Sequence, residues 1–207
     1  MRLTPNAITL LGLPLGGAAA FLLYRGDLLL SALPITLLGG CDLLDGYVAK
    51  TRGLVTPFGA FLDSTVDRLT ELFLFAGILF FYLRQRDAVT ACVTYWAMGG
   101  SLVISYTRAR AENFIPNCRI GFWERPERIG LLLAGLVSGH LKTALWILAI
   151  GATFTLLHRI FYTRRALLEK PPQPFRTVLF RDYPRKSWPY CIYALVVVLL
   201  VLFVRFP

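Results

Sequence analysis

Two pairs of aspartates carry the most distinctive chemistry in this sequence: Asp42 with Asp45, and Asp63 with Asp67. Helical spacing brings the members of each pair onto one face, since residues three or four apart are neighbours on a helix. Both pairs lie in otherwise strongly apolar segments, where an ionised carboxylate costs on the order of a few kcal/mol and indicates a functional site. Four like charges share a pocket only when positive charge lies between them, and divalent cations would supply it.

Small and polar residues surround the four acids in the sequence. Glycine beside a carboxylate leaves room for a ligand or a second backbone to come close. Hard oxygen ligands of this kind suit Mg²⁺ or Mn²⁺, and such ions commonly hold the phosphates of a substrate. Two cations would neutralise a diphosphate group. The predicted cleft has a floor of small residues and two polar residues at its rim: Gly46, Ala49, Gly59, Lys50 and Thr56.

The composition excludes an ordinary soluble domain. The 207 residues are 56% hydrophobic and 16% charged, with a mean hydropathy of +0.60, and these values indicate an integral membrane protein. The net charge of +10 is spread over loops and helix ends, which favours contact with anionic membrane lipids and substrate phosphates over nucleic acid. The four cysteines lack the spacing of a zinc site or a disulfide framework, and no cleavable signal peptide is evident.

Apolar runs separated by polar segments predict an all-α integral membrane protein. We expect a six-transmembrane-helix catalytic bundle over residues 1–168, a basic proline-rich surface linker over 169–187, and a seventh, C-terminal transmembrane helix over 188–207. One acid pair ends the second span and the other begins the third, so both pairs lie at the same membrane face and can converge. The seven predicted spans are 8–24, 28–48, 57–83, 89–107, 129–139, 143–161 and 188–206. The fifth is short for a span unless its helix begins at Pro126 or earlier, which proline in a first turn permits.

Positive charge is concentrated on one side of the predicted bundle. Sixteen of the 22 Lys and Arg residues lie at the N-terminus, in the loops after the second and fourth spans, and between residues 159 and 187. Cytoplasmic loops of membrane proteins carry such an excess. The charge bias therefore predicts a protein of the cell membrane whose N-terminus and acid cluster face the cytoplasm.

The acids and their small neighbours form one pattern, Asp42-x2-Asp45-Gly46-x2-Ala49-Lys50-x8-Gly59-x3-Asp63-x3-Asp67. This pattern fixes eight positions over 26 residues, and it resembles the signature of the CDP-alcohol phosphotransferases. One position departs from that signature, since the family usually has arginine where this chain has Lys50. Lysine keeps the charge but lacks the bidentate fork of arginine, so the nucleotide contact there would be looser or shared with Arg52.

The resemblance implies a reaction and a set of roles. A small alcohol would attack the phosphorus attached to the lipid of CDP-diacylglycerol or a related CDP-lipid, and CMP would leave. All four aspartates would bind two Mg²⁺ or Mn²⁺ ions, and Asp67 would also be the general base that takes the proton of the alcohol. We also expect a homodimer. The residues implied to bind the CDP-lipid are Asn6, Thr9, Gly46, Ala49, Lys50, Thr56 and Gly59.

The segments 63–68, 105–112 and 121–128 look like the branch of the family that makes phosphatidylinositol phosphate in prokaryotes. This branch uses inositol phosphate as the acceptor. Three basic residues at helix ends would bind its phosphate: Arg108, Arg128 and Arg159. The arginines have a second interpretation, as membrane-interface anchors or as partners of the glutamates in the same region. Glycerol 3-phosphate needs a similar pocket, so phosphatidylglycerophosphate synthesis is the nearest alternative.

A cation transporter is the main alternative outside the enzymes, because intramembrane acids also mark ion pathways. A transporter predicts acids distributed along the membrane depth, whereas these acids crowd near one face, at fixed offsets from small residues. The enzyme interpretation is therefore favoured. The sequence leaves open which alcohol is the acceptor, and whether the donor is a diacyl lipid or an archaeal ether lipid.

Overall fold

The computed structural model describes residues 4–118, 120–168, 195, 196 and 199, and these residues form α-helices without a strand. The predicted linker over 169–187 lies outside the described residues. Only three residues of the predicted seventh span are described, so that helix stays a prediction. The six helices are α1 Pro5–Arg25, α2 Leu28–Thr51, α3 Pro57–Arg84, α4 Ala88–Ala111, α5 Arg125–Ser138 and α6 Leu141–Leu168.

Four of the described helices are long and apolar enough to cross a membrane, namely α1, α2, α4 and α6. Helix α3 has 28 residues, but it carries several charged residues, which include Asp63 and Asp67, and it is not among these four. Helix α5 begins at Arg125, earlier than the predicted fifth span, and still has only 14 residues. Its length of about 21 Å is shorter than the hydrocarbon core of about 30 Å. The count of seven spans therefore stays a prediction.

The chain divides into two compact units, Met1–Tyr95 and Trp96–Pro207. In the first unit, α1 packs against both α2 and α3. Glycines permit this close approach: a β-carbon added at Gly12 would lie 3.1 Å from Leu38 of α2, and one at Gly77 would lie 2.5 Å from the carbonyl oxygen of Ala20 in α1. At the other end of the α1–α3 pair, a β-carbon at Gly59 would lie 3.2 Å from Oδ1 of Asn6, so the start of α1 lies close to the start of α3.

In the second unit, α5 and α6 form an antiparallel pair connected at Gly139, whose φ of 75° is left-handed and favours glycine. Trp123 packs on Gly151 of α6, where a β-carbon would overlap the indole ring. The loop before α5 has a small apolar core that includes Cys118. Burial raises the pKa of the Cys118 thiol, so this thiol is neutral at physiological pH.

Candidate metal and CDP-lipid site

Three carboxylates meet where α2 ends and α3 begins. Asp42 lies near the C-terminal end of α2, and Asp63 and Asp67 lie in the first turns of α3. One oxygen of each side chain lies within 4.8 Å of the others, and all three residues are half-buried. The predicted convergence of the acid pairs is confirmed for these three aspartates.

The three aspartates fit a divalent cation. Oxygen ligands bind Mg²⁺ at about 2.1 Å and Ca²⁺ at about 2.3–2.6 Å, so ligand atoms on opposite sides of one ion are roughly 4–5 Å apart. The ligand atoms of the cluster all lie within 4.8 Å of one another, which is compatible with this range. Carboxylates also prefer hard cations of the Mg²⁺ and Mn²⁺ type. The cluster therefore has the donor atoms and the spacing of a divalent metal site.

Asp45 has a different environment from the other three aspartates. It is 7% exposed, and its Oδ2 accepts a hydrogen bond of 2.6 Å from Oγ1 of Thr9 in α1. This bond connects α1 to α2 next to the cluster, and a hydrogen bond of this kind orients a carboxylate for metal binding. Thr9, predicted to contact the CDP-lipid, thus contacts Asp45. The role of Asp45 as a metal ligand stays a prediction.

Gly46 and Gly59 have different surroundings. A β-carbon added at Gly46 would meet no neighbouring side chain or helix within 4 Å, whereas one at Gly59 would lie 3.1 Å from Oγ1 of Thr56 and 3.2 Å from Oδ1 of Asn6. Thr56 also caps α3, because its Oγ1 accepts a hydrogen bond of 3.0 Å from the Gly59 amide. The structure therefore brings three of the predicted CDP-lipid residues together, and it leaves open space over Gly46.

Lys50 and Ala49 lie in the last turn of α2, directly before the loop that leads to α3. Lys50 is exposed and Ala49 is half-buried. Arg52, which the sequence suggested as a second nucleotide contact, is the C-cap of the same helix and is also exposed. The end of α2 nearest the aspartates thus carries two exposed basic residues.

The three arginines predicted to bind the acceptor phosphate all have protein partners in the second unit. Arg108 is 3.0 Å from Glu112 and 3.2 Å from Glu124, which agrees with the alternative interpretation as an ion-pair partner of glutamates. Arg128 is 1% exposed, and its Nη1 donates a hydrogen bond of 2.9 Å to the Trp123 carbonyl. These contacts stabilise the segment between α4 and α5, and phosphate binding by either residue stays a prediction.

Arg159 is the third of these arginines, and it is 2% exposed within α6. Its Nε donates a hydrogen bond of 3.0 Å to the carbonyl of Ile120, and its Nη1 donates one of 2.6 Å to the carbonyl of Ile104. One guanidinium therefore connects α6 to α4 and to the loop before α5. Its predicted role in phosphate binding is likewise untested.

Glu71 is a residue of the site region that the sequence reasoning missed. It follows Asp67 by one helical turn, is 1% exposed, and forms an ion pair of 3.3 Å with Arg68. The signal was present in the sequence, because Asp63, Asp67 and Glu71 recur at intervals of four residues. The rule that singled out the aspartates, an acid within an apolar segment, applies equally to Glu71.

The sequence model of the CDP-alcohol phosphatidyltransferase family matches residues 2–204, nearly the whole chain. The chain belongs to this family. The resemblance seen in the aspartate pattern is thereby confirmed, and the protein is a membrane-associated CDP-alcohol phosphatidyltransferase of phospholipid biosynthesis. The cation transporter alternative is set aside, because membership of this family indicates an enzyme.

Relatives from two domains of life resemble this phosphatidyltransferase. A phosphatidylinositol phosphate synthase of Streptomyces avermitilis is 36% identical over 181 residues, which cover 80% of this chain and 74% of the relative. An archaetidylinositol phosphate synthase of Methanothermobacter thermautotrophicus is 36% identical over 174 residues, which cover 81% of this chain and 86% of the relative.

Solved structures of a phosphatidylinositol phosphate synthase are also similar to this chain. The phosphatidylinositol phosphate synthase of Mycobacterium tuberculosis with CDP-DAG bound is 32% identical, with a TM-score of 0.75, and the match covers 83% of this chain and 92% of that chain. The same synthase in complex with manganese and citrate is 31% identical, with a TM-score of 0.75 and coverage of 88% and 93%.

Proposed function

We propose that this phosphatidyltransferase transfers the phosphatidyl group of CDP-diacylglycerol, or of a related CDP-lipid, to inositol 1-phosphate and releases CMP. One observation carries the choice of acceptor. A bacterial relative is named phosphatidylinositol phosphate synthase and an archaeal relative archaetidylinositol phosphate synthase, and each is 36% identical to this chain. The two product names share the inositol phosphate headgroup and differ in the lipid. A shared inositol phosphate headgroup implies inositol phosphate as the acceptor, and this shared feature supports the same acceptor for this chain.

Asp42, Asp45, Asp63 and Asp67 are the residues we propose to hold two Mg²⁺ or Mn²⁺ ions. When bound, the ions would neutralise the diphosphate of the CDP-lipid and the phosphate of the departing CMP. Three of these carboxylates lie close enough together to share cations. Thr9 would keep Asp45 in a fixed orientation through its hydrogen bond of 2.6 Å.

Asp67 is the residue we propose to accept the proton of the attacking hydroxyl group. The hydroxyl oxygen of the acceptor forms a bond to the lipid-linked phosphorus, and the bond from that phosphorus to the bridging oxygen breaks. CMP leaves with the bonding electrons, and the proton goes to the Asp67 carboxylate. Asp67 is half-buried in the cluster and lies within α3, so a helix rather than a loop positions its carboxylate.

The CDP-lipid would bind over Gly46 and the start of α3. The space over Gly46 lets the diphosphate come close to the backbone of α2. Backbone N–H groups at the start of a helix attract phosphate, and Asn6 and Thr56 lie beside Gly59 there. Lys50 would add a positive charge for the nucleotide, and Ala49 would leave room for it.

Arg108, Arg128 and Arg159 are the residues we propose to bind the acceptor phosphate. A guanidinium has five N–H donors, so its bonds to carbonyl or carboxylate oxygens are compatible with a further bond to phosphate. For Arg108, phosphate binding would weaken the ion pairs to Glu112 and Glu124, because phosphate competes for the same donors.

We further propose that the active site faces the cytoplasm, since most Lys and Arg residues lie on the side of the aspartates in the predicted topology. The same basic loops would contact anionic membrane lipids, with attraction of about 1 kcal/mol for each Lys or Arg near the surface. The homodimer expected from the sequence is part of this proposal. Its direct test is the mass of the purified protein in detergent.

A panel of acceptors tests the proposed function. The purified protein is given CDP-diacylglycerol, Mg²⁺ and one radiolabelled acceptor at a time: inositol 1-phosphate, glycerol 3-phosphate, inositol or serine. We expect CMP release and a labelled lipid with inositol 1-phosphate alone, and no product from an Asp67→Asn variant. Consumption of glycerol 3-phosphate alone would refute the acceptor and establish a phosphatidylglycerophosphate synthase.

A further inference from the structure

The ion pair between Arg68 and Glu71 lies directly beyond the metal cluster on α3. Glu71 lies one helical turn after Asp67, on the helix face that also carries Asp63. Its side chain is 1% exposed, whereas that of Arg68 is 34% exposed. A buried carboxylate is stable only when it is paired or hydrogen-bonded. Arg68 provides an opposite charge to this buried carboxylate, at 3.3 Å.

The Arg68 side chain is a potential competitor of a bound cation. Arg68 follows Asp67 directly in the sequence, and a long, flexible guanidinium side chain next to a carboxylate cluster is attracted to it. An arginine bound to Asp67 would repel a divalent ion. It would also occupy the carboxylate oxygens of Asp67 that would otherwise bind the ion. In the part of the chain that the structure describes, however, the ion-pair partner of Arg68 is Glu71, at 3.3 Å.

We propose that Glu71 is a positioning residue that keeps the aspartate cluster available for metal by holding and neutralising Arg68. The proposal deepens the proposed function, since it rests on divalent cation binding by the aspartates. The wild-type pair adds no net charge to this part of α3. Loss of Glu71 alone would leave one positive charge beside Asp67, and that charge would repel each bound cation and be free to pair with the cluster.

Metal affinity of the purified full-length protein in detergent tests this proposal without recourse to activity. Mn²⁺ is titrated into the protein, and free Mn²⁺ is measured by electron paramagnetic resonance. We expect Glu71→Gln to weaken Mn²⁺ binding about tenfold, which equals about 1.4 kcal/mol. The double variant Arg68→Gln/Glu71→Gln, in which both charges are absent, should bind within about threefold of the wild type, since threefold is less than 1 kcal/mol.

Asp27→Asn is the matched control, because it also removes a carboxylate paired with arginine (Arg25, at 3.4 Å) in the same unit. Asp27 precedes α2, at the opposite end of that helix from Asp42, and we expect wild-type Mn²⁺ affinity for this variant. Wild-type affinity in a folded Glu71→Gln protein would overturn the proposal. A double variant as weak as Glu71→Gln would also overturn it, because Glu71 would then act on the metal independently of Arg68.

Arg68→Gln keeps the proposal testable if Glu71→Gln does not fold. Its Mn²⁺ affinity should equal or exceed that of the wild type, because the competing charge is absent, and weaker binding would contradict the inference. The outcome is separate from that of the acceptor panel. A wild-type protein that binds Mn²⁺ but uses glycerol 3-phosphate would refute the acceptor and leave the role of Glu71 standing, whereas a wild-type protein without Mn²⁺ binding would refute the metal site itself.

Discussion

The Gly46→Ala variant is expected to affect the stability of the protein and its binding of the CDP-lipid in opposite directions. A β-carbon at Gly46 would meet no neighbouring side chain or helix within 4 Å, so the added methyl group disturbs no contact in the protein. Glycine inside a helix is about 0.5–1 kcal/mol less stable than alanine, and Gly46 lies inside α2. We therefore expect the variant to unfold at a slightly higher temperature than the wild type.

The same methyl group would occupy space that the CDP-lipid needs. Forcing one methyl group into a close contact costs about 1–3 kcal/mol, which corresponds to roughly 5- to 150-fold in affinity. The KM for CDP-diacylglycerol in mixed micelles should rise within this range, while the KM for the acceptor changes little. The assay is CMP release at saturating acceptor, with the mole fraction of CDP-diacylglycerol varied.

Gly17→Ala is the control for Gly46→Ala. Gly17 also lies inside a helix, α1, and a β-carbon there would likewise meet nothing within 4 Å. It should give a similar gain in thermal stability with wild-type KM values. If Gly46→Ala also keeps a wild-type KM for CDP-diacylglycerol, the space over Gly46 is not used by the donor and the reasoning is refuted.

Three further variants test other contacts. Thr9→Val removes the hydrogen bond of 2.6 Å to buried Asp45, so it should cost about 1–3 kcal/mol of stability and weaken Mn²⁺ binding. Thermal unfolding and metal titration measure the two effects, and Thr9→Ser should restore both. Gly77→Ala places a methyl group 2.5 Å from the Ala20 carbonyl oxygen, so it should lower the free energy of unfolding by at least about 1–3 kcal/mol; an unchanged unfolding temperature would contradict the close packing of α1 and α3. Lys50→Arg restores the bidentate fork, and it should lower the KM for CDP-diacylglycerol; a higher KM would show that lysine is the better contact in this chain.

Local sequence signals predicted the helices that carry the site. The third span was predicted from its apolar run to begin at residue 57, where α3 begins; the structure shows in addition that Thr56 caps this helix, with Pro57 in its first turn. The apolar run of the fifth span begins at residue 129, and proline in a first turn permits the helix to begin at Pro126 or earlier. Helix α5 begins at Arg125, in agreement with the earlier start. Where the first turn of a helix is polar, an apolar run alone therefore marks the start of the helix too late.

Contacts between residues that are far apart in the chain could not be predicted from the sequence. The bond from Thr9 to Asp45 joins residues 36 positions apart, so spacing on one helix cannot reveal it. The carbonyl partners of Arg159 lie 39 and 55 residues away. Every residue has a backbone carbonyl, so the residue type does not indicate which carbonyl accepts the bond. The aspartate cluster was predictable because its members lie on two consecutive helices joined by a short loop, which confines them to one end of the pair.

Product formation by an Asp63→Asn variant tests the central claim most directly. Asp63 is a member of the three-carboxylate cluster, and the substitution removes charge while keeping the size of the side chain. Wild-type and variant proteins, matched in amount and in unfolding temperature, are given CDP-diacylglycerol, labelled inositol 1-phosphate and Mg²⁺. We predict labelled phosphatidylinositol phosphate from the wild type, and a loss of at least a hundredfold in the variant or with a chelator, which equals at least about 2.7 kcal/mol of transition-state stabilisation. Labelled product at the wild-type rate from Asp63→Asn would contradict the account.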